Sequence, residues 1–350
     1  GACGIAAGTP LAILGAIGQA AHQGAIVKGG LYLEALATVD TVVLDKTGTL
    51  TYGTPVVRDV APVAGVEPEA VLMTAAVAER RSEHPLAKAI LAQAAVAGLP
   101  PVEPTDFTYR PGLGIIATLE GEEIVVGNGA LLMARGIPLD GLAQAAGNST
   151  ARVFVARRGR LLGAIGVADQ LRPEAKAAVI ALKAMGMRTL LLTGDQPSVA
   201  DGVARELGVD EMGAGLLPEN KLERVRELLR RGRRVAMVGD GVNDAPALAE
   251  ASVGIAMGSG TDVARESADV VLLGNDLAKL VETLRIARRT RRIIMQNFTG
   301  TLAVDGVGIG LAAVGLLNPL MAAFIHVASE LTFILNSARL LPRRRTVAQW

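Results

Sequence analysis

Two stretches of the chain carry almost no charge. Residues 1–27 contain no Asp, Glu, Lys or Arg, and residues 293–341 contain only four ionisable side chains, Asp305, His326, Glu330 and Arg339. Because a helix needs about 20 apolar residues to cross a bilayer core, the second stretch predicts two spans, with a turn at 317–319 where Pro interrupts a helix. A pair of buried core helices is the alternative. We place a partial transmembrane helix and its cytoplasmic extension in 1–30, and the two spans in 293–341.

Between these stretches, short apolar runs alternate with amphipathic segments. The β-branched run at 40–45 ends in a polar turn that contains Gly, which is typical of a buried parallel strand. Further helices are predicted within 69–97 and at 196–207, 221–231 and 245–251, and further strands at 123–126, 151–156, 189–193, 234–238, 253–256 and 270–273.

The alternation of strands and helices from 166 to 276 indicates a doubly wound α/β domain. The first strand of that domain precedes a region of mixed character, so this region is predicted to be an insertion. We assign 31–53 and 169–287 to the two parts of the α/β domain, and 54–168 to an inserted α+β domain.

Composition and charge narrow the class of protein. Half of the residues are apolar, only 3% are aromatic, and the mean hydropathy is +0.39, which agrees with membrane spans. A net charge of +1 gives no reason to expect nucleic acid as a partner. The single cysteine, Cys3, excludes an internal disulfide and a CxxC metal site.

Basic clusters flank the second apolar stretch on both sides, at 288–292 and 343–345. Basic residues next to spans favour the cytoplasmic side, so the region between about 28 and 287 is expected in the cytoplasm. We expect an integral protein of the plasma (inner) membrane, with the lipid bilayer as a partner. The chain begins in mid-pattern, and we expect it to be a fragment.

Three polar turns follow predicted strands, and parallel strands bring such turns to one crevice. The residues with candidate chemistry in and near these turns are Asp45, Lys46, Thr47, Thr193, Gly194, Asp195, Lys221, Asp240, Asn243 and Asp244. Asp45 can attack phosphorus and form an aspartyl phosphate. Asp45 and Asp240 can share a Mg²⁺ ion, and Lys221 can offset the charge of the transferred group. The hydroxyl and amide groups can donate hydrogen bonds to its oxygens.

The segments DKTGTLT, TGD and GDGVNDAPALAEA resemble the signature segments of the P-type ATPases, in the same order along the chain. The resemblance covers essentially all 350 residues. It implies a haloacid-dehalogenase-like phosphorylation domain, ATP and Mg²⁺ as cofactors, phosphorylation of Asp45, and Mg²⁺ at Asp45, Thr47 and Asp240. It also implies an actuator domain and upstream helices in the same protein, since the actuator's TGE loop does not occur here.

The inserted region resembles the nucleotide site of the heavy-metal-transporting subfamily. The matching residues are Glu79, His84, Pro85, Gly112, Gly114, Gly127 and Asn128. The resemblance implies that the His-Pro pair and the glycines hold adenine against a sheet. A lone His on a helix would otherwise be read as a surface residue.

Ionisable groups within a span are candidates for function. We predict a site for the transported ion at Cys3, Asp305, His326 and Glu330, whereas a structural pairing of Asp305 with His326 is the alternative. The family's metal-binding triplet aligns with Gly1, Ala2 and Cys3, and so lacks the first thiolate and the Pro. Carboxylate, imidazole and a single thiolate favour Zn²⁺, Co²⁺, Ni²⁺, Fe²⁺ or Mn²⁺ over Cu⁺.

Two functions therefore fit the sequence. The first is ATP-driven transport of a transition-metal ion. The second is hydrolysis by a membrane-anchored phosphatase of the haloacid-dehalogenase type, which expects an acidic residue two positions after the nucleophile. That position is Thr47, so the residue favours transport.

Overall fold

The computed structural model describes residues 3–139, 151–241, 244–258 and 260–342. Contacts divide the chain into two units. The parallel-sheet unit comprises Gly1–Leu50, Pro173–Thr193 and Leu207–Trp350, and the antiparallel-sheet unit comprises Thr51–Arg172 and Gly194–Glu206.

The parallel-sheet unit contains seven strands in its described part. They are β1 (Ala25–Val27), β2 (Thr41–Asp45), β9 (Arg188–Leu192), β10 (Glu211–Gly213), β11 (Val235–Gly239), β12 (Val253–Met257) and β13 (Val270–Leu272). Their order is β1-β13-β12-β11-β2-β9-β10, and every neighbouring pair except β1 with β13 is parallel. The strand predicted from the run at 40–45 therefore lies inside the sheet.

Helices cover this sheet because its central strands are apolar on both faces. Five helices of the unit are α2 (Gly30–Leu36), α6 (Ala175–Ala184), α8 (Pro218–Arg230), α9 (Ala245–Glu250) and α10 (Asp262–Ser267). Val43 packs with residues of α8 and α9 in one buried cluster, and its neighbours Val42 and Leu44 on the opposite face are fully buried too. The predicted doubly wound α/β fold is confirmed.

Strand β1 was not predicted from the sequence. Its three residues pair antiparallel with β13, with Ala25 and Val27 buried and Ile26 exposed. An alternation over three residues is too short to identify a strand from the sequence. Strand β1 forms at this edge of the sheet only because β13 offers its hydrogen-bonding groups.

The antiparallel-sheet unit contains six strands within its described residues. They are β3 (Thr51–Pro62), β4 (Asp106–Arg110), β5 (Gly114–Leu119), β6 (Glu122–Gly127), β7 (Ala151–Arg157) and β8 (Arg160–Leu171), in the order β3-β8-β7-β6-β5-β4. Helices α3 (Pro68–Glu79) and α4 (Pro85–Val96) bury their apolar sides against one face, and α5 (Gly129–Ala134) packs on the other. Helix α7 (Pro197–Leu207) is grouped with this unit up to Glu206. The predicted α+β insertion is confirmed as a fold.

Three further helices belong to the parallel-sheet unit: α1 (Cys3–His22), α11 (Leu277–Ala313) and α12 (Pro319–Ala338). Asn318 caps α12 by accepting the Met321 N–H at 2.8 Å, and Pro319 takes the first helical position. The chain therefore turns where Pro predicted it. Among the described helices, α12 is the one long and apolar enough to cross a membrane by length and composition. The first predicted span falls within the second half of α11, which is a single 37-residue helix.

Candidate active site

Asp45 is the last residue of β2, at the carboxyl end of the sheet. The wide turn Lys46–Leu50 follows it, and Gly48 in this turn has a φ of 71°. A Cβ atom at Gly48 would lie 2.3 Å from the Asp240 carboxylate. Only Gly can therefore let the turn pass this close to the carboxylate after β11.

Lys221 forms ion pairs with two carboxylates of the site, Asp45 and Asp244. It lies in the first turn of α8, where Asn220 accepts the Leu217 N–H at 3.1 Å. Its ammonium group donates hydrogen bonds to Asp45 and, at 2.8 Å, to Asp244 Oδ1. The side chains of Lys221, Asp45 and Asp244 are 8%, 5% and 1% exposed, so these ion pairs are shielded from water.

Burial and neighbouring charges shift the pKa values of this pair. Burial, together with the Asp244 carboxylate, raises the pKa of Asp45 from 3.8 to about 7 against the opposing effect of Lys221. Burial acts to lower the pKa of Lys221, but Asp45 and Asp244 outweigh it and raise this pKa. Lys221 therefore stays protonated beside Asp45.

Asp45, Asp240 and Asp244 form a carboxylate cluster. One oxygen atom from each lies within 4.8 Å of the other two. Hard cations such as Mg²⁺ prefer oxygen ligands of this kind, so the donor set fits the predicted ion. Thr47, which the sequence analysis predicts as a further Mg²⁺ ligand, is exposed, and that role stays a prediction. The third carboxylate of the cluster is Asp244. Its position depends on the turn after β11, which spacing alone could not reveal.

The remaining predicted residues of this site have different surroundings. Thr193 follows β9, the neighbour of β2; its N–H donates to Gly213 at 2.9 Å and its carbonyl oxygen accepts from Leu216 at 3.0 Å. Lys46 is buried. Gly194 and Asp195 are grouped with the antiparallel-sheet unit. Asn243 lies outside the described residues.

A cavity of about 230 Å³ lies in the antiparallel-sheet unit, and we call it the Glu79 cavity. It brings together residues from α3, α4, β4, β5, β6 and β7. Its lining includes Glu79, Ser82, His84, Tyr109, Gly112, Gly114, Gly127, Asn128, Arg152 and Val153. Six of the seven residues predicted for the nucleotide site are among them. Pro85 is not part of this lining and occupies the first position of α4.

Glu79 and His84 present polar groups to this cavity. Glu79 is 6% exposed, its Oε2 atom has no hydrogen-bond partner among the described residues, and burial raises its pKa from 4.5 to about 7. The Nδ1 atom of His84 accepts the Leu86 N–H at 3.2 Å and so caps α4. That bond leaves the Nε2 atom of His84 available to a ligand.

Asn128 joins the two glycine segments of the Glu79 cavity. Its side-chain amide donates to the Gly112 carbonyl at 3.0 Å, while its Oδ1 atom accepts the Leu131 N–H at 3.0 Å and caps α5. A Cβ atom at Gly127 would lie 2.3 Å from the Leu113 carbonyl oxygen. These contacts explain why Gly and Asn occur here. Tyr109 and Arg152 also line the cavity, and no motif in the sequence marked them.

Comparisons with known proteins match this architecture. The haloacid dehalogenase-like hydrolase family matches residues 39–252. A manganese-exporting P-type ATPase of Mycobacterium tuberculosis is 42% identical over 352 residues, which cover 98% of this chain and 49% of that protein. A copper-exporting P-type ATPase of Vibrio cholerae is 39% identical, over 97% of this chain and 38% of that protein.

A crystal structure of a zinc-transporting PIB-type ATPase superposes with a TM-score of 0.88 at 38% identity, covering 97% of this chain and 56% of that one. The chain belongs to the heavy-metal P-type ATPases. It spans about half or less of the length of the curated relatives that it matches.

In this P-type ATPase chain, the residues predicted for the transported ion are brought together only in part. Asp305, His326 and Ser329 line a cavity of about 470 Å³ between α11 and α12, which we call the Asp305 cavity. The Glu330 carboxylate lies 4.0 Å from His326 Nε2 but does not line that cavity. Ser329 donates to the His326 carbonyl at 2.8 Å, as a hydroxyl on a helix commonly does. The side chain of Cys3 lies outside the described part of the chain.

Proposed function

We propose that the protein containing this chain transports a transition-metal cation across a membrane, driven by ATP through an aspartyl phosphate on Asp45. The observation that carries the proposal is the buried Lys221, bound to both Asp45 and Asp244 at the carboxyl end of the sheet. This arrangement suits a carboxylate that must attack a polyanion, because the cation offsets charge before and after transfer. The manganese- and copper-exporting relatives support transport.

In the proposed reaction, a carboxylate oxygen of Asp45 attacks the γ-phosphorus of ATP. A new oxygen–phosphorus bond forms while the bond to the bridging oxygen breaks, and ADP leaves with that electron pair. Lys221 stabilises the charge that moves from the carboxylate to the phosphoryl group. Mg²⁺, held by Asp45, Asp240 and Asp244, would add positive charge at the same place. Thr193 follows the neighbouring strand and can donate a hydrogen bond from its hydroxyl.

The phosphatase alternative is less well supported. The position that would carry an acid for the leaving group is the exposed Thr47, whose hydroxyl is too weak an acid to protonate a leaving group at neutral pH. A phosphoenzyme without that acid is longer-lived, which is what transport requires.

For the transported ion, we propose a divalent metal rather than Cu(I). The described lining of the Asp305 cavity offers carboxylate, imidazole and hydroxyl groups but no thioether or thiolate, and soft Cu(I) prefers sulfur ligands. Glu330 beside His326 could add a second carboxylate, and Cys3 a thiolate. Relatives that export manganese and relatives that export copper are both similar to this chain, so similarity does not select the ion. The choice of a divalent metal rests on the donor set.

The placement in the cell is part of the same proposal. We assign 54–168 to nucleotide binding, 31–53 and 169–287 to phosphorylation, and 1–30 and 293–341 to the membrane. The basic cluster at 288–292 favours the cytoplasm for the catalytic domains of a plasma (inner) membrane protein. An actuator domain and further helices of the same protein would complete the cycle.

Labelling with radioactive ATP tests the proposal. In the full-length protein, Asp45 should acquire an acid-stable phosphate that hydroxylamine removes. Asp45→Asn should abolish labelling, because an amide is a poor nucleophile, and should leave ATP binding intact. Asp106→Asn, at an exposed position of β4, is the matched control and should label normally. Labelling of the Asp45→Asn variant would refute the assignment.

A further inference from the structure

Arg152 is a permanent cation in the lining of the Glu79 cavity, and it has no role in the proposed reaction. It is half-buried, and its guanidinium group forms no hydrogen bond or ion pair with the residues that the structure describes. A neighbouring arginine on the same strand is paired. Arg157 donates to Glu122 at 2.7 Å. A half-buried cation that lines a cavity and has no partner among the described residues can bind an anionic ligand.

The register of the sheet explains how Arg152 reaches the cavity. Along β7, pairing with β6 stops at Phe154, which lies opposite Gly127, whereas pairing with β8 continues and places Arg152 opposite Gly166. Arg152 therefore extends past the last paired residue of β6, toward the turn at Asn128. This turn is the one that Gly112 and Asn128 hold together.

The Glu79 cavity suits the neutral base of a nucleotide better than its charged phosphates. Glu79 and His84 offer hydrogen-bonding groups suited to a neutral base, and the glycines leave room for a flat ring. At about 230 Å³ the cavity is smaller than the usual 300–1,000 Å³ of sites that enclose a whole ligand. A bound nucleotide would therefore keep its base inside and its phosphates at the rim.

We propose that Arg152 binds the phosphate nearest the ribose of the nucleotide whose base occupies the Glu79 cavity. The inference rests on the proposed function, because it takes an adenine nucleotide as the ligand. Arg152 then acts as a residue that distinguishes nucleotides from nucleosides. A guanidinium can donate two parallel hydrogen bonds to phosphate oxygens, which Lys cannot reproduce in geometry.

The test compares adenosine, AMP and ATP as ligands of the full chain by calorimetry, in Mg²⁺-free buffer. The wild-type chain should bind AMP more tightly than adenosine. Arg152→Ala should weaken AMP and ATP binding about tenfold or more and leave adenosine binding within about twofold, since the charge-assisted contact with the phosphate is lost. Arg152→Lys should keep part of the difference in affinity between AMP and adenosine. Arg160→Ala, an exposed cation at the far end of the same hairpin, should behave like wild type.

Each outcome decides a separate point. An unchanged ratio of AMP to adenosine affinity in Arg152→Ala would overturn the role of Arg152 while leaving the nucleotide site in place. An equal loss of adenosine and AMP binding would also overturn it, because Arg152 would then support the cavity instead of the phosphate. A wild-type chain that binds none of the three ligands would contradict the nucleotide site and hence the proposed function itself.

Discussion

Glu79 ends α3 with its carboxyl group in the Glu79 cavity, where it is largely shielded from water. A carboxyl group with a pKa near 7 can donate a hydrogen bond when protonated and accept one when ionised. This dual capacity suits an adenine edge, which carries both acceptors and donors. The same burial makes the residue unfavourable for the fold whenever the group is ionised.

Glu79→Gln should therefore remove a pH dependence of stability. The pKa of Glu79 is raised in the folded state, so its stabilising contribution is complete below about pH 4.5 and is lost as the pH rises through about 7. At pH 8 the variant should be more stable than wild type by roughly 3 kcal/mol, and at pH 4 the two should be similar. Thermal unfolding of the chain across this range measures the difference.

The control for this prediction is Glu69→Gln, which changes an exposed glutamate near the start of the same helix. It should leave the pH profile as in wild type. Parallel profiles for Glu79→Gln and wild type would mean that Glu79 is not buried in its ionised form.

At the scale of helices, one polar cluster joins α1, α11 and α12. Asn297 donates to Ser337 Oγ at 2.8 Å and accepts from the Asn336 amide at 2.8 Å, and Ser337 donates to the Gly8 carbonyl at 2.8 Å. A Cβ atom at Gly8 would lie 3.3 Å from Ser337 Oγ, so a larger residue would crowd this hydroxyl. Small and polar residues commonly serve this purpose where helices meet in membranes.

Asn297→Ala should loosen this junction. It removes three side-chain hydrogen bonds, including one to the Phe333 carbonyl at 3.3 Å, and leaves the Asn336 amide without its acceptor, so we expect a loss of about 1–2 kcal/mol in the free energy of unfolding. The loss would appear as a lower melting temperature of the detergent-solubilised chain. Gln296→Ala, at the adjacent exposed position, should have little effect, and equal melting temperatures for all three proteins would show that the cluster adds nothing to stability.

At the scale of the whole molecule, the proposed phosphorylation site and the proposed ion site lie in different elements of the parallel-sheet unit. Asp45 ends a strand, whereas Asp305 and His326 lie on helices α11 and α12. Helix α11 is continuous from Leu277 past Asp305. Arg288 on this helix donates at 3.1 Å to the carbonyl of Val39, just before β2, and also to that of Met185, just before β9. The helix is thus bonded to the beginnings of the two strands that end at Asp45 and near Thr193.

His326→Ala should therefore separate the two activities in the full-length protein. Metal-stimulated ATP hydrolysis should be lost, because the imidazole ligand is removed, while phosphorylation of Asp45 by inorganic phosphate should survive. Asp305→Asn should also weaken the stimulation of ATP hydrolysis by metal ions. Hydrolysis and phosphorylation assays across a panel of divalent ions provide the measurement.

Ser329→Ala is the matched control, since that hydroxyl already bonds to its own helix and should not be required. If the His326→Ala and Asp305→Asn variants transport metal normally, these side chains form a structural cluster and the ion takes another route.

Much of this protein was determined by the sequence alone. The order of DKTGTLT, TGD and GDGVNDAP predicted the nucleophile, its partner turns and the family, and the strand at 40–45 and the helices on either side of 319 follow from local pattern. The strand and the helices depend on neighbours within a few residues, where alternation and Pro or Gly act directly on the backbone.

Other features were decided only by the tertiary structure. Lys221 also binds Asp244, Asp244 joins Asp45 and Asp240 in the carboxylate cluster, and Arg152 reaches the Glu79 cavity from the end of β7. The cluster at Asn297 and the edge strand β1 belong to the same group. These contacts depend on strand order, on register and on where each turn ends. A chain reveals its own periodicity, but it does not reveal which distant segments will share a sheet edge or a helix junction.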